Sequence, residues 1–338
     1  MKIVLDAFGG DNAPLEILRG AEMAVKELGV DILLSGDAEA IGKCAGENGI
    51  SLQHMDIVHA PDILTMHDEP GEVIKSKSNS SLAVGLKALA EDKGDAFVSA
   101  GSTGAVVVGA TFIVKRIKGV KRAALASFIP AKDGHFLLLD IGANAECRPE
   151  MLVQFAVMAS VYMKKVQGIE NPTVGLLNIG AEDTKGGELQ RQAYALLQKA
   201  PVNFIGNAEA RDIPAGFCDI VVTDGFTGNV VLKLTEGVAG TMFGMVKEIF
   251  GANFKSKIAA SMVMPGLKGL KSKMDYATIG GAPLMGIQKP VIKAHGSSNA
   301  LAIKNAIRQA KLSVEGNVIG AISEDLSKMA ETKKAAQE

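Results

Sequence analysis

Nine short, mostly apolar runs recur along this chain, and their lack of strict alternation is the strongest constraint on its fold. They are KIVLD (2–6), DILLS (31–35), DIVHA (56–60), DAFVSA (95–100), ALASF (124–128), FLLLD (136–140), TVGLLN (173–178), VNFIG (202–206) and DIVVTD (219–224). A strand with one wet face alternates apolar and polar residues, whereas a strand covered on both faces does not. Covering both faces requires helices above and below the sheet, and segments of helical spacing lie between the runs. Examples are PLEILRGAEMAVKELG (14–29), PEMLVQFAVMASVYMKKV (149–166) and GELQRQAYALLQKA (187–200), with Pro14 and Pro149 suited to a first helical turn. The pattern predicts an α/β fold with a doubly wound, mostly parallel sheet.

No linker or repeat divides the sequence, so residues 1–330 are expected to form a single compact unit, which could have two lobes around a cleft. The tail ETKKAAQE (331–338) has no apolar anchor and is expected to fray. With 338 residues, 47% of them hydrophobic, the chain can bury a large core. Basic and acidic residues nearly balance, at 36 against 37, and aromatics are only 4%. That leaves no global field for nucleic acid and no base-stacking surface. Cys44, Cys147 and Cys218 show no paired or metal-finger spacing, which fits a reducing cytoplasm, and MKIVLDAFGG is too short in apolar residues for a secretory signal. The uncharged run AFVSAGSTGAVVVGATFIV (96–114) reads as strand, loop and helix, because SAGSTGA interrupts it.

Polar, glycine-rich corners follow the strand ends, where doubly wound sheets bind ligands. Strand one runs into Asp6, Gly9, Gly10 and Asp11, and the strand near 98 into Ser99, Gly101, Ser102, Thr103 and Gly104. FLLLD ends in Asp140, Gly142 and Asn144, TVGLLN leads into Asn178, Gly180 and Glu182, and DIVVTD into Asp224, Gly225, Thr227, Gly228 and Asn229. KAHGSSNA supplies Lys293, His295, Gly296 and Ser297. Each corner alone is explained by turn geometry and helix capping. Six of them together suggest a cleft whose backbone N–H groups receive phosphate or another small anion. On this reading Gly225 and Gly228 keep backbone amides open, while Val230, Val231, Leu234, Val238 and Met242 pack the following helix against the sheet.

Neither a P-loop, a GxGxxG after the first strand, nor a GxSxG elbow occurs. His54, His59 and His67 lack metal-ligand spacing and read as surface or packing residues, leaving His295 as the functional histidine.

The motifs LDAFGGDNAP, SAGSTGA, FLLLDIGAN, LLNIGAEDTKG, NFIGNAEARD, VVTDGFTGNVVLK and PVIKAHGSS, in order from residue 2 to about 315, give the chain a specific resemblance to the bacterial phosphate acyltransferases of phospholipid synthesis. Phe8 and Asn12 stand where that family often has Met and His, so neither position is expected to be essential. The resemblance implies that inorganic phosphate attacks an acyl-[acyl carrier protein] thioester to form acyl phosphate, which a membrane-bound glycerol-3-phosphate acyltransferase consumes. It also implies a fold similar to the isocitrate and isopropylmalate dehydrogenases and the phosphotransacetylases, a homodimer, and no required cofactor or metal. Lys293, His295 and Asn229 are the expected catalytic groups. Asp6, Gly9, Gly10, Ser102, Thr103, Gly104, Asp140, Asn144, Asn178, Glu182, Asp224, Gly225, Thr227, Gly228, Gly296 and Ser297 are the expected substrate-binding set, with the acids Asp6, Asp140 and Asp224 more structural than catalytic. GGAPLMG (280–286) is a candidate wall for the acyl chain.

Residues 254–274 carry five lysines and no acid among apolar residues, which suggests a helix, or a helical hairpin broken at Pro265 and Gly266. Such a segment suits an anionic membrane surface, a dimer interface or the acidic carrier protein. Peripheral membrane association of a cytoplasmic enzyme is therefore expected. A phosphotransacetylase-like enzyme using acyl-coenzyme A, a nicotinamide-dependent dehydrogenase and a non-catalytic lipid-surface scaffold are the competing readings.

Overall fold

The computed structural model describes residues 1–274 and 280–335. All nine apolar runs are strands, with bounds within three residues of those expected: β1 (Lys2–Asp6), β2 (Asp31–Gly36), β3 (Met55–His59), β4 (Ala96–Ser99), β5 (Ala124–Ala131), β6 (Gly134–Leu139), β7 (Thr173–Asn178), β8 (Asn203–Glu209) and β9 (Ile220–Val222). Two more, β10 (Ala282–Met285) and β11 (Val291–Lys293), were not expected. They are too short for a recognisable period, and β10 contains Pro283.

The helices used below are α1 (Leu15–Leu28), α2 (Ala38–Asn48), α3 (Ser81–Ala90), α4 (Thr103–Gly109), α5 (Pro149–Gln167), α6 (Glu188–Leu197), α7 (Gly225–Gly251), α8 (Phe254–Met274), α9 (Ala300–Glu315) and α10 (Val318–Ala335). Pro149 opens α5 at its first position, and Pro14 immediately precedes α1.

Burial on both faces explains the continuous apolar runs. Ile3, Leu5, Ile32 and Leu34 pack beneath α1 and α9 with Ile17, Leu18, Ile303 and Ile307. Their neighbours Val4, Leu33 and Phe97 face the other way, onto Leu82, Leu86 and Leu89 of α3. Strand β6 repeats the arrangement, with Leu137 and Leu139 under α5 and Leu138 on the opposite face.

The described strands form one sheet in the order β3-β2-β1-β4-β11-β10-β5-β6-β9-β7-β8. The block from β3 to β11 is parallel, and so is the block from β6 to β8. Between them β10 is antiparallel to β11 and to β5, and β5 is antiparallel to β6. Three reversals leave the two parallel blocks running in opposite directions. By strand direction the polar corners therefore divide into two groups, one for each block.

Helix α7 departs from expectation. Only Gly225 and Gly228 at its start are buried, while Leu234 is 64% and Met242 60% exposed, with Val230 and Val238 also exposed and Val231 partly covered. The expected packing is met only at Val231, which lies against the core, and fails for Val230, Leu234, Val238 and Met242, because α7 leaves the sheet after its first turns. Of the two forms expected for residues 254–274, α8 is the unbroken helix, running through positions 265 and 266 without a hairpin there. It exposes Phe254, Ile258, Met262, Val263 and Met264; the lysines at 268, 271 and 273 fall outside the described side chains. Among the described residues no helix is long and apolar enough to cross a membrane.

Candidate active site

In the first block the corners after β1, β4 and β11 interlock. The Asp6 carboxylate accepts from the Ser99 hydroxyl at 2.7 Å and from the Phe8 N–H at 3.3 Å. Gly101 N–H in turn donates to the Ser99 hydroxyl oxygen at 3.0 Å. Gly9 fits here because it has no side chain: a Cβ on it would lie 2.5 Å from Asp6 Oδ2 and 2.7 Å from the Gly101 nitrogen. Gly10, at φ +102°, carries the chain past Gly296, whose carbonyl accepts from Asp11 N–H at 2.8 Å. Burial pushes the Asp6 carboxyl upward, against the donors that favour its ionised form.

This framework holds β11 beside β4 with Lys293 in register with Ser99. Lys293 is only 7% exposed, and its ammonium donates to the carbonyls of Ala100, at 3.4 Å, and Ala294. Among the described residues no carboxylate lies within ion-pair distance of it. Burial pulls its pKa down to about 8, while the more distant Asp6 and Asp11 oppose that shift. A buried cation solvated only by carbonyls lacks a counter-charge, which a bound anion would supply.

His295 stands two residues on. Its Nδ1 receives the Ser297 backbone N–H at 3.2 Å and lies 2.8 Å from the Ser297 hydroxyl. A backbone N–H can only donate, so Nδ1 is the acceptor, and the neutral ring carries its proton on Nε2. Burial lowers the His295 pKa and favours that neutral form; nearby Lys233 and Lys293 act in the same direction, against Glu236 and Asp11.

In the second block, Asp140 organises the loop after β6. Its buried carboxylate accepts from the N–H groups of Leu125, Gly142, Ala143 and Asn144 and from the Asn144 side-chain amide, at 2.7–3.2 Å. Helix α7 begins against this loop. Asp224 caps it, accepting from both Thr227 N–H and Thr227 hydroxyl, and Gly225 N–H donates to Asn144 carbonyl at 2.8 Å. The expectation that Gly225 and Gly228 keep amides open is therefore corrected. Gly225 N–H is spent on Asn144, Gly228 N–H on Asp224, and both glycines are required by close packing.

The two groups meet at a recess of about 310 Å³ between β5, the β10–β11 corner, α4 and α7. Of the predicted residues, it brings together Thr103, Gly104, Asn229, Lys293 and His295. Asp6, Gly9, Gly10, Gly296 and Ser297 support the β11 side from behind, and Ser102 precedes Thr103 outside the lining. Asp140, Asn144, Asp224, Gly225, Thr227 and Gly228 hold the loop and helix start that present Asn229. Asn178 and Glu182 are not brought to the recess: Asn178 donates to Lys185 carbonyl, and Glu182 carbonyl accepts from Asn207.

Lys233, Glu236 and Ser127 also line the recess and were not singled out in the sequence. The first two were legible in principle, since Asn229, Lys233 and Glu236 recur at helical spacing along one face of α7. Ser127, the lone polar side chain in ALASF, was a second available signal. Leu125, Phe128, Ile141 and Leu232 make the rest of the wall apolar. In GGAPLMG only Gly280, Gly281 and Ala282 reach it, because Leu284 and Met285 are buried in the core. Among the described residues no group of three or more His, Cys, Asp or Glu side chains could hold a metal ion.

A family model described as "Fatty acid synthesis protein" matches residues 1–321. A phosphate acyltransferase of Oceanobacillus iheyensis is 49% identical over 96% of this chain and 96% of its own length. One from Clostridioides difficile is 46% identical over 99% of this chain and 98% of its own. Among solved structures, a phosphotransacetylase from Streptococcus pyogenes superposes with a TM-score of 0.61 at 18% identity, covering 95% of this chain and 94% of that one. The EutD phosphotransacetylase from Staphylococcus aureus gives 0.59 at 18% identity, with 92% and 94% covered. At that identity the likeness is one of fold.

Proposed function

Since this chain belongs to the fatty acid synthesis protein family and is a phosphate acyltransferase, we propose that it transfers a fatty acyl group from acyl-[acyl carrier protein] to inorganic phosphate. The observation that carries the site assignment is Lys293, a buried cation with no carboxylate in ion-pair range at the wall of a recess. Phosphate at the Lys293 ammonium supplies the missing counter-charge and is held for attack. One phosphate oxygen bonds to the thioester carbonyl carbon, and the carbonyl oxygen becomes an oxyanion. The Asn229 side-chain amide and the His295 Nε2–H donate to that oxyanion, a contribution of about 2.7–4 kcal/mol per donor in comparable sites. Collapse breaks the carbon–sulfur bond, the thiolate leaves and takes a proton from solvent, and acyl phosphate remains. Holding phosphate and carbonyl together contributes up to roughly 7–11 kcal/mol where the alignment is good.

The product, a reactive acyl phosphate, suits delivery to a membrane-bound glycerol-3-phosphate acyltransferase. Helices α7 and α8 support a surface role. Val230, Leu234, Val238 and Met242 continue along α7 into exposed Met245 and Ile249. Each such side chain gains about 1.5–3 kcal/mol on full burial. A homodimer formed through this helical pair collects that energy, and the exposed Lys255 and Lys257 of α8 draw the assembly to anionic lipid.

The test is to supply the acyl carrier thioester with and without phosphate and trap acyl phosphate as its hydroxamate. Phosphate-dependent hydroxamate supports the proposal. Turnover of acetyl-coenzyme A with none of the carrier thioester would replace it with a phosphotransacetylase activity.

A further inference from the structure

The sequence KRIKGVKR (115–122) places five cations in eight residues, and no acidic residue occurs between Asp95 and Asp133. None of the five is ion-paired with a described residue. The loop is held rigidly. Ile117 and Val120 are buried, Ile117 N–H donates to Gly286 carbonyl at 3.0 Å, and Gln288 N–H donates to Lys115 carbonyl at 2.9 Å. The buried Gln154 grips the turn from below: its Oε1 accepts from Lys121 N–H and its Nε2 donates to Gly119 carbonyl, both at 2.9 Å. With its apolar residues anchored inward, the loop presents Lys115, Lys118, Lys121 and Arg122 to solvent.

The approach to this loop is unusual. Residues 110–114 form a π-helical turn that continues α4, and Lys115 follows at φ +74° and ψ 160°, a conformation that is essentially reserved for glycine. Phe112, on that turn, is 63% exposed. Loop and turn frame a second cavity of about 620 Å³, lined by Val107, Phe112, Lys115, Arg116 and Arg122 with no acidic side chain. It adjoins the candidate active site through shared elements. Thr103 and Gly104 line the recess and Val107 and Val108 the cavity, and in the next loop Ile141 and Gly142 line the recess while Ala143 and Asn144 line the cavity.

We propose that the rigid basic loop 115–122, with the cavity beside it, is the docking surface for the acidic acyl carrier protein. This rests on the carrier thioester being the acyl donor. Charge complementarity selects an acidic protein surface. Placement beside the recess lets a donor docked there reach Lys293 and Asn229 with a flexible arm. The concave, fixed arrangement also favours a protein partner over a flat lipid surface.

The test is steady-state kinetics of the full chain with Lys118 and Lys121 both changed to Glu, and separately with both changed to Arg. Both side chains are exposed and outside the recess lining, and thermal unfolding checks that the fold is retained. The Glu variant should raise the KM for the carrier thioester by at least about tenfold, since like charges then face each other, while kcat and the phosphate KM hold. The Arg variant should keep the wild-type KM. A carrier KM within twofold of wild type in the Glu variant overturns the docking assignment, as does loss of binding to anionic phospholipid vesicles with the carrier KM unchanged. If the wild-type chain itself fails to use the carrier thioester, the donor assignment falls and docking falls with it.

Discussion

Gly228 lies directly on Asp140: a Cβ placed on Gly228 would sit 1.9 Å from the Asp140 carbonyl oxygen. That contact sets how closely α7 approaches the loop whose amides Asp140 gathers, and hence where Asn229 stands. Gly228→Ala must push the two apart. Overpacking of this kind costs about 1–3 kcal/mol, and Asn229 moves with the helix. The expected result is a lower denaturation midpoint together with a fall in kcat, measured on the same preparation.

Lys293→Met keeps most of the length of the side chain and removes its charge. The phosphate-dependent rate should fall about a hundredfold or more, comparable to losing one strong transition-state donor, with a raised phosphate KM. Phosphate titrations at fixed acyl donor check this, and a rate within threefold of wild type would remove Lys293 from the site.

The pH dependence follows from the same lysine. Its folded pKa, about 8, lies below the ordinary 10.5, so between those values the unfolded chain binds more protons than the folded one. The contribution of Lys293 to stability therefore rises with pH from about 8 to 10.5, by about 3 kcal/mol at most. Below pH 8 the burial penalty on its charge is fully present. On the proposed role of Lys293, phosphate binds the charged form, so the phosphate KM should climb above pH 8. Unfolding of wild type and Lys293→Met compared across that window isolates the effect.

Burial holds His295 below its usual pKa, which favours the neutral ring. Between pH 6.5 and 8 the kcat profile should show no inflection that disappears in His295→Ala. That variant should lose about a hundredfold in kcat throughout the window.

Leu234→Lys with Met242→Lys places two charges on an exposed apolar stripe. These side chains bury little within one chain, so circular dichroism should be unchanged. If the stripe is the dimer face, sedimentation should shift from dimer to monomer.

The α/β class and nine strands were legible because burial on both faces leaves a local mark in residues such as Ile3, Val4 and Leu5. That the lysine and histidine of KAHGSS would line a recess was legible because cationic and imidazole side chains beside a glycine-rich strand end stand out locally. The split sheet was not: β10 and β11 carry almost no period, so their insertion between β4 and β5 left no local mark, and because the two reversals at β10 cancel, it is the antiparallel pairing of β5 with β6, Ala126 with Leu139, that turns one half of the sheet against the other. The same limit explains Gly225, Gly228 and the stripe on α7. A sequence records that a glycine is needed or that a face must be covered, because those demands are local. Whether the glycine frees an amide or admits a neighbouring carbonyl, and whether the cover comes from the sheet or from outside the chain, depends on contacts between distant residues, and those exist only once the chain has folded.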